Sequence, residues 1–296
     1  MLWWAMFGVG VAVWIAVVWL MIAAIIHRRR PAREESKMVE PTRERRALVW
    51  WLAISGVILA AFLAFDFAVD RALRRDEPIA LTIEVTGHQW WWQVEYDDSI
   101  PSHRLVTANE IHIPVGQLVQ FKLRSADVIH SFWAPNLNGK RDLIPGYETS
   151  LWFRADTAGV YRGQCAEFCG LQHAKMAFYI VAQSAAEFAA WRTASSIPSP
   201  PPRDSAALYG KSVFMSSGCS LCHSIAATDA RGTVGPSLSH LASRSTLAAG
   251  TLPNTRAYLT AWISNPTALK PGTQMPRYPL MGDDLTALVA YLETLR

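Results

Sequence analysis

The 296-residue chain has four cysteines in two close pairs, and each pair has other metal-binding side chains beside it. In Cys165-Ala-Glu-Phe-Cys169-Gly-Leu-Gln-His173-Ala-Lys-Met176, two thiols, an imidazole and a thioether fall within twelve residues. Soft sulfur with imidazole is a ligand set that suits copper. Zinc would accept the thiolates and the imidazole but has no use for Met176. A structural disulfide, open to either pair in an oxidising compartment, would leave His173 and Met176 idle. His130, at the end of a predicted strand, offers a second imidazole.

The second pair reads Cys219-Ser-Leu-Cys222-His223, a C-x-x-C-H pattern and the attachment signature of a c-type haem. Both thiols can form thioethers with the haem vinyl groups while His223 binds iron from the same side. Redox dithiols share the C-x-x-C part, so the following segments matter. "GTVGPSLSHL" resembles the Gly-Pro-x-Leu segment of class I cytochromes c, and "PGTQMPRYP" resembles their methionine loop. That resemblance implies Met275 as the second axial ligand. Among its competitors, Met215 is too close to the attachment motif and Met281 lacks the flanking loop; His240 is the third. His–Met ligation raises the potential, as suits an electron donor to copper.

Different elements must position the two groups. From Ile79 onward come short runs rich in β-branched and aromatic residues, punctuated by Gly, Pro or Asp: "IALTIEVTGHQWWWQVEY", "EIHIPVGQLVQFKLRSADVIHSFWAP", "TSLWFRADTAGVYRGQC" and "MAFYIVAQ". Such spacing predicts a β-sandwich or Greek-key barrel. "TASSIPSPPPRD", with prolines at 198, 200, 201 and 202, predicts an extended, semi-rigid spacer. Beyond it, the stretch with Leu208, Val213 and Phe214 predicts a short helix leading into C-x-x-C-H. "DDLTALVAYLETL", apolar at 285, 288, 289 and 292, predicts an amphipathic terminal helix.

The N-terminal part belongs in a membrane. Residues 3–26 and 47–65 carry no charge, and each run is long enough to span about 30 Å of hydrocarbon. The first run lacks a basic n-region and is too long for a signal-peptide core, so an anchor is expected. Between the runs lie Arg28, Arg29, Arg30, Arg33, Lys37, Arg43, Arg45 and Arg46, whereas the N-terminal flank has no Lys or Arg. The positive-inside rule places this loop in the cytoplasm and both ends outside. The expectation is a bacterial inner-membrane protein with two helices, in contact with lipid, whose N-terminus and C-terminal domains face the periplasm.

Composition agrees: 51% of residues are hydrophobic and only 18% are charged. The net charge of +4 contains no dense basic run, which argues against a nucleic-acid partner. Residues 77–190 carry eight basic and twelve acidic side chains, and residues 205–296 carry seven and four. Opposite domain charges would favour docking of one domain on the other, and intramolecular transfer would then slow as salt rises.

The fold expected is multi-domain. A two-helix transmembrane hairpin (1–76) is followed by an all-β sandwich (77–194), a Pro-rich linker (195–204) and an all-α class I cytochrome c domain (205–296).

"HSFWAPNLNGKRDLIPG" and "CAEFCGLQHAKM" resemble the two ligand segments of cytochrome c oxidase subunit II, and "TGHQWWW" resembles its aromatic stretch. The likeness covers the chain to about residue 190 and points to a caa3-type subunit II with a fused cytochrome c. It implies a cupredoxin-like Greek-key sandwich holding a dinuclear copper (CuA) centre. Cys165 and Cys169 would bridge both coppers, and His130 and His173 would bind one each. Met176 and the Glu167 backbone carbonyl would be weak outer ligands, with the Glu167 side chain facing a partner subunit and a magnesium ion. Two bridging thiolates spread one electron over two metals, so each bond changes little on reduction.

Trp90 matches the tryptophan through which electrons enter, with Trp91 and Trp92 in the same stretch. Lys140, Arg141 and Asp142 match a loop that faces the partner's haem propionates and proton exit. His88, His103 and His112 have no motif support. The second apolar run, "ERRALVWWLAISG", lacks the family's Trp-Thr-x-x-Pro-like start, so Glu44 as an acid near a proton channel rests on a loose alignment. The partners implied are oxidase subunits I and III, with a cytochrome c or the cytochrome bc1 complex as electron donor. The activity implied is electron delivery to subunit I, which reduces oxygen to water and pumps protons. A copper-containing subunit of a membrane nitric oxide reductase is the alternative. A copper-delivery or sensor protein would have no use for a haem.

Overall fold

The computed structural model describes residues 2–28, 41–73, 77–97, 104–280 and 282–296. Most of the basic loop (29–40), His103 and Met281 therefore lie outside the described residues. The chain divides into two units, residues 1–75 and 76–296.

The first unit contributes helices α1 (Leu2–Arg28) and α2 (Pro41–Leu73). At 1.5 Å per residue they run about 40 and 50 Å. Their apolar side chains are exposed all round, and none of either spanning stretch is buried against protein. Helices apolar on every face suit a membrane span. α2 starts on Pro41, whose fixed φ and missing N–H suit a first helical position. Glu44 falls in its first turn, but its side chain lies outside the described residues.

The second unit begins with a two-sheet sandwich. One sheet has the order β3 (Leu105–Ala108), β2 (Trp91–Tyr96), β1 (Leu81–His88), β5 (Val119–Ser125), β8 (Thr149–Phe153). The other has β4 (Glu110–Pro114), β10 (Ala177–Gln183), β9 (Gly159–Cys165), β6 (His130–Trp133), β7 (Arg141–Leu143). The pairs β1–β5 and β4–β10 are parallel and the rest antiparallel. Alternation sends Ile83 and Val85 inward from β1, opposite Phe132, Phe178 and Ile180 of the second sheet. Within this core Phe132 stacks on Phe178 at 4.2 Å, and Trp92 meets both edge-on. β4 is buried on both faces, with all five of its residues inside. Helix α3 (Ala185–Ser196), started by a Ser184–Glu187 capping box, covers its outer side. There Trp191 stacks on His112 at 4.0 Å.

α3 runs to Ser196, so the extended connection starts at Ile197 and ends where Asp204 caps α4 (Ser205–Ser216). The helical region that follows contains α5 (Cys219–Cys222), α6 (Arg256–Ser264), α7 (Pro266–Leu269) and α8 (Asp283–Glu293). A two-residue ladder, β11 (Thr246–Leu247) with β12 (Leu252–Pro253), completes it. α4 and α8 cross closely at Gly210, where a Cβ would lie 1.8 Å from the Ala287 carbonyl oxygen. Val213, Phe214, Leu288, Val289 and Leu292 fill the core beside that crossing, whereas Leu208 points outward and is half exposed.

Candidate metal centre and haem pocket

The first cluster is built by three strands and one loop. β9 ends on Cys165, and β6 beside it begins on His130, with Phe132 paired to Cys165. The loop from β9 to β10 carries Cys169, His173 and Met176, and it is closed by a Cys165 N–H bond to the Met176 carbonyl at 3.0 Å. The two sulfurs lie 3.7 Å apart, far beyond the roughly 2.05 Å of a disulfide. Cys165 Sγ is 3.9 Å from His130 Nδ1 and 3.3 Å from the Glu167 carbonyl oxygen. Cys169 Sγ is 3.7 Å from His173 Nδ1 and 3.8 Å from Met176 Sδ. The Glu167 side chain and Phe168 face outward, Phe168 with 75% of its surface exposed.

The hydrogen bond between the two thiols, helped by His130, holds Cys165 well below the usual thiol range. The same bond, with burial, pushes Cys169 up. A cation between the two sulfurs would displace their protons and hold both as thiolates. Asp127 accepts from His130 Nε2 at 2.8 Å, and the ring's other nitrogen, Nδ1, faces the sulfur of Cys165. The other Asp127 oxygen accepts from the Gln89 backbone N–H at 2.6 Å.

The second cluster surrounds a cavity of about 430 Å³ in the helical region. Cys219, Cys222, His223 and Met275 all line it, together with Phe214, Leu259 and Trp262. His223 Nδ1 donates to the Pro236 carbonyl at 2.7 Å, which fixes the tautomer and leaves Nε2 as the free lone pair. Burial also holds His223 below its usual pKa, in the neutral form that ligates a metal. Of the competitors of Met275, Met215 packs against the domain core while only partly buried, and His240 precedes a short 3-10 turn; neither lines the cavity.

The cavity wall also takes residues from the sandwich: Gln89, Trp90, Trp91 and Asn109. Trp90 donates its indole N–H to the Cys169 carbonyl at 2.9 Å, and the Gln89 amide donates to the same oxygen at 2.7 Å. Gly170 makes room for this contact. It has φ +111°, and a Cβ there would meet Trp90 Cζ2 at 3.0 Å.

The family model for the periplasmic domain of cytochrome c oxidase subunit II matches residues 81–184, and that for cytochrome c matches residues 207–296. Cytochrome c oxidase subunit 2 of Alkalihalophilus pseudofirmus is 34% identical over 95% of this chain and 81% of its own length. The chain belongs to the cytochrome c oxidase subunit II family. The Bacillus subtilis subunit 2 is 32% identical over 83% of this chain and 70% of its own length. A crystal structure of the periplasmic domain of subunit II from Bradyrhizobium japonicum covers 41% of this chain and 96% of that one, at 32% identity and a TM-score of 0.38.

A subunit II with a cytochrome c domain has an electron-transfer role in a haem-copper oxidase and works beside subunit I. The family implies copper and haem c, and the residues present fit both. Two free, buried thiols, with His130 within 4.8 Å of them, supply a soft donor set. A largely apolar cavity is lined by both cysteines and the histidine of the C-x-x-C-H motif and by Met275. Its two apolar helices fit a membrane anchor.

Three residues beside these two clusters escaped the sequence reading. Asp127 stands three residues before His130, a D-x-x-H spacing that could have signalled it. Gln89 sits inside the aromatic stretch without drawing notice. Lys270 lines the cavity and is buried, and burial pulls its ammonium down to about 7. Lys140, Arg141 and Asp142 lie at the other end of the site, on and beside β7, where Leu143 pairs with His130.

Proposed function

We propose that this subunit relays single electrons to a haem-copper subunit I, which reduces oxygen to water and pumps protons. Haem c and a dinuclear copper centre, when bound, supply the two one-electron carriers. Cys219 and Cys222 would hold the haem covalently, and His223 and Met275 would ligate its iron. Cys165, Cys169, His130 and His173 would hold the coppers, with Met176 and the Glu167 carbonyl as weaker donors. Pro236 and Asp127 each fix the tautomer of a ligating histidine, so neither ring must reorient when the charge of the site changes.

One observation carries the reading. Trp90 lines the cavity of the C-x-x-C-H motif and also donates a hydrogen bond to the backbone of Cys169. One side chain thus spans the gap between the two sites, which supports Trp90 as the residue through which electrons reach the copper site.

The same reading extends outward. The exposed Glu167 carboxylate faces subunit I and a magnesium ion there, and Lys140, Arg141 and Asp142 face that subunit's haem propionates. Subunit III completes the complex, and a cytochrome c or the cytochrome bc1 complex is the donor. The protein sits in the lipid of the bacterial inner membrane with its arginine-rich loop in the cytoplasm and residues 77–296 in the periplasm. That part comprises a copper domain (77–196), a linker (197–204) and a haem domain (205–296).

Metal and haem analysis of the detergent-purified protein, with electron paramagnetic resonance of its oxidised form, tests this. Two coppers per haem and a delocalised mixed-valence signal are expected. One localised copper, zinc, or no haem would overturn the ligand assignment. Turnover with oxygen rather than nitric oxide separates the oxidase from the reductase alternative.

A further inference from the structure

We infer that Lys270 is a positioning residue: it docks the haem domain on the copper domain and holds the Trp90 backbone at the wall of the haem cavity. This rests on the proposal that electrons pass from haem c to the copper site within the chain.

Lys270 follows α7 and is only 3% exposed. Its Nζ donates to two carbonyl oxygens, Trp90 of the sandwich and Ala248 of the haem domain, each at 3.2 Å. An amine this deeply buried is retained at a desolvation penalty that only such bonds offset.

Its neighbours in sequence extend the contact. The Leu269 carbonyl accepts from Lys175 Nζ at 3.0 Å, and the Pro271 carbonyl accepts from the Gln172 amide. Gly272 lies so close to Leu171 that a Cβ would meet its Cδ1 at 2.9 Å. Residues 269–272 thus face residues 171–175, the loop that contains His173. Three positions after Gly272 comes Met275. One short segment therefore ties the methionine loop of the haem site to the ligand loop of the copper site, and Lys270 is its buried centre. Of these contacts, the Lys270 bond is the one that reaches Trp90.

The test uses the assembled oxidase, with haem c reduced by a brief photochemical pulse and its reoxidation followed alongside copper reduction. Lys270→Met is expected to slow the haem-to-copper step by about tenfold or more, as loss of two buried hydrogen bonds at a positioning contact would. The haem c spectrum, the copper resonance signal and direct reduction of copper by a small ruthenium complex should stay unchanged. Lys270→Arg, which keeps a donor at that place, should recover most of the rate. A Met variant with both spectra intact and the wild-type rate overturns the inference. Absence of haem-to-copper transfer in the wild type would instead sink the relay reading.

Should the Met variant lose a cofactor, amine labelling of the wild-type oxidase decides. Lys270 should react at least about tenfold more slowly than exposed Lys140, as its burial requires. Equal labelling overturns the docking role.

Discussion

The indole N–H of Trp90 and the carbonyl oxygen of Cys169 are joined by a 2.9 Å hydrogen bond. The bond fixes the ring against the loop that carries the copper-site sulfurs, while the same residue forms part of the haem cavity wall. Trp90→Phe keeps an aromatic ring but removes the donor. The expected result is a slower haem-to-copper step, by about tenfold, with an intact copper signal. Photochemical reduction of haem c in the assembled oxidase measures it. An unchanged rate would remove Trp90 from the route.

Copper loading should depend on the thiols separately from the haem. Cys165→Ser or Cys169→Ser is expected to abolish the mixed-valence signal while the covalent haem spectrum survives, because the haem thiols lie in another cluster. Stripping copper with a chelator should lower the melting temperature of the sandwich. A ligand present at about a hundred times its dissociation constant stabilises by about 2.7 kcal/mol. Calorimetry with and without copper reads the shift, and no shift would mean that the sandwich does not hold the metal.

Asp127 bridges His130 and the backbone of Gln89. Asp127→Ala leaves His130 Nε2 without its partner and frees the imidazole to turn. Copper affinity should fall about 10- to 100-fold, the usual effect of removing a ligand's outer partner. Competition with a chromogenic copper chelator measures this. Wild-type affinity would show that packing against Trp92 alone orients the ring.

The motif chemistry was legible in the sequence because it sits in short contiguous segments. Cys165 to Met176 and Cys219 to His223 each close within one loop or turn, and the fold brings their side chains together as the spacing suggests. The short runs rich in β-branched and aromatic residues, broken by Gly, Pro or Asp, likewise revealed the sandwich, and Ile83 and Val85 of the first run lie in its core. What stayed hidden depends on long-range packing. Nothing near Lys270 in sequence says that its amine meets Trp90, 180 residues away. His112 reads as an ordinary strand histidine, yet α3 covers it with Trp191. The domain charges suggested an electrostatic encounter, whereas the contact itself includes buried hydrogen bonds from Lys270 to backbone carbonyls and from Ser245 to the buried Glu110.

That difference has a consequence for salt. Screening acts on exposed charges beyond about 8–10 Å and much less on buried contacts. The charge difference alone predicts that transfer slows as salt rises. The packing predicts that the haem-to-copper rate holds nearly constant between low and high salt, while the rate of reduction by a separate donor cytochrome changes. Stopped-flow measurements at two ionic strengths separate these steps. A haem-to-copper rate that falls with salt would restore the electrostatic account.

The domain contact should nevertheless respond to acid, through Glu110. Its side chain is buried on β4, where it accepts from the backbone N–H of Ser245 in the haem domain at 2.9 Å and from the Ser245 hydroxyl, with His112 beside it at 3.2 Å. Burial alone would raise its pKa, but the bonds from His112 and Ser245 outweigh burial and hold it below the ordinary value of 4.5. A depressed folded-state pKa stabilises the fold above the unfolded value and loses that contribution as pH falls through the folded one. The melting temperature of the haem domain should therefore drop as pH falls below about 4.5, and the wild type should lose more than Glu110→Gln over that window. The Gln variant lacks the carboxylate at every pH, so it should already melt lower at pH 7. Thermal melts followed by haem c absorbance at several pH values provide the comparison, and parallel curves for the two proteins would exclude Glu110 as the acid-sensitive contact.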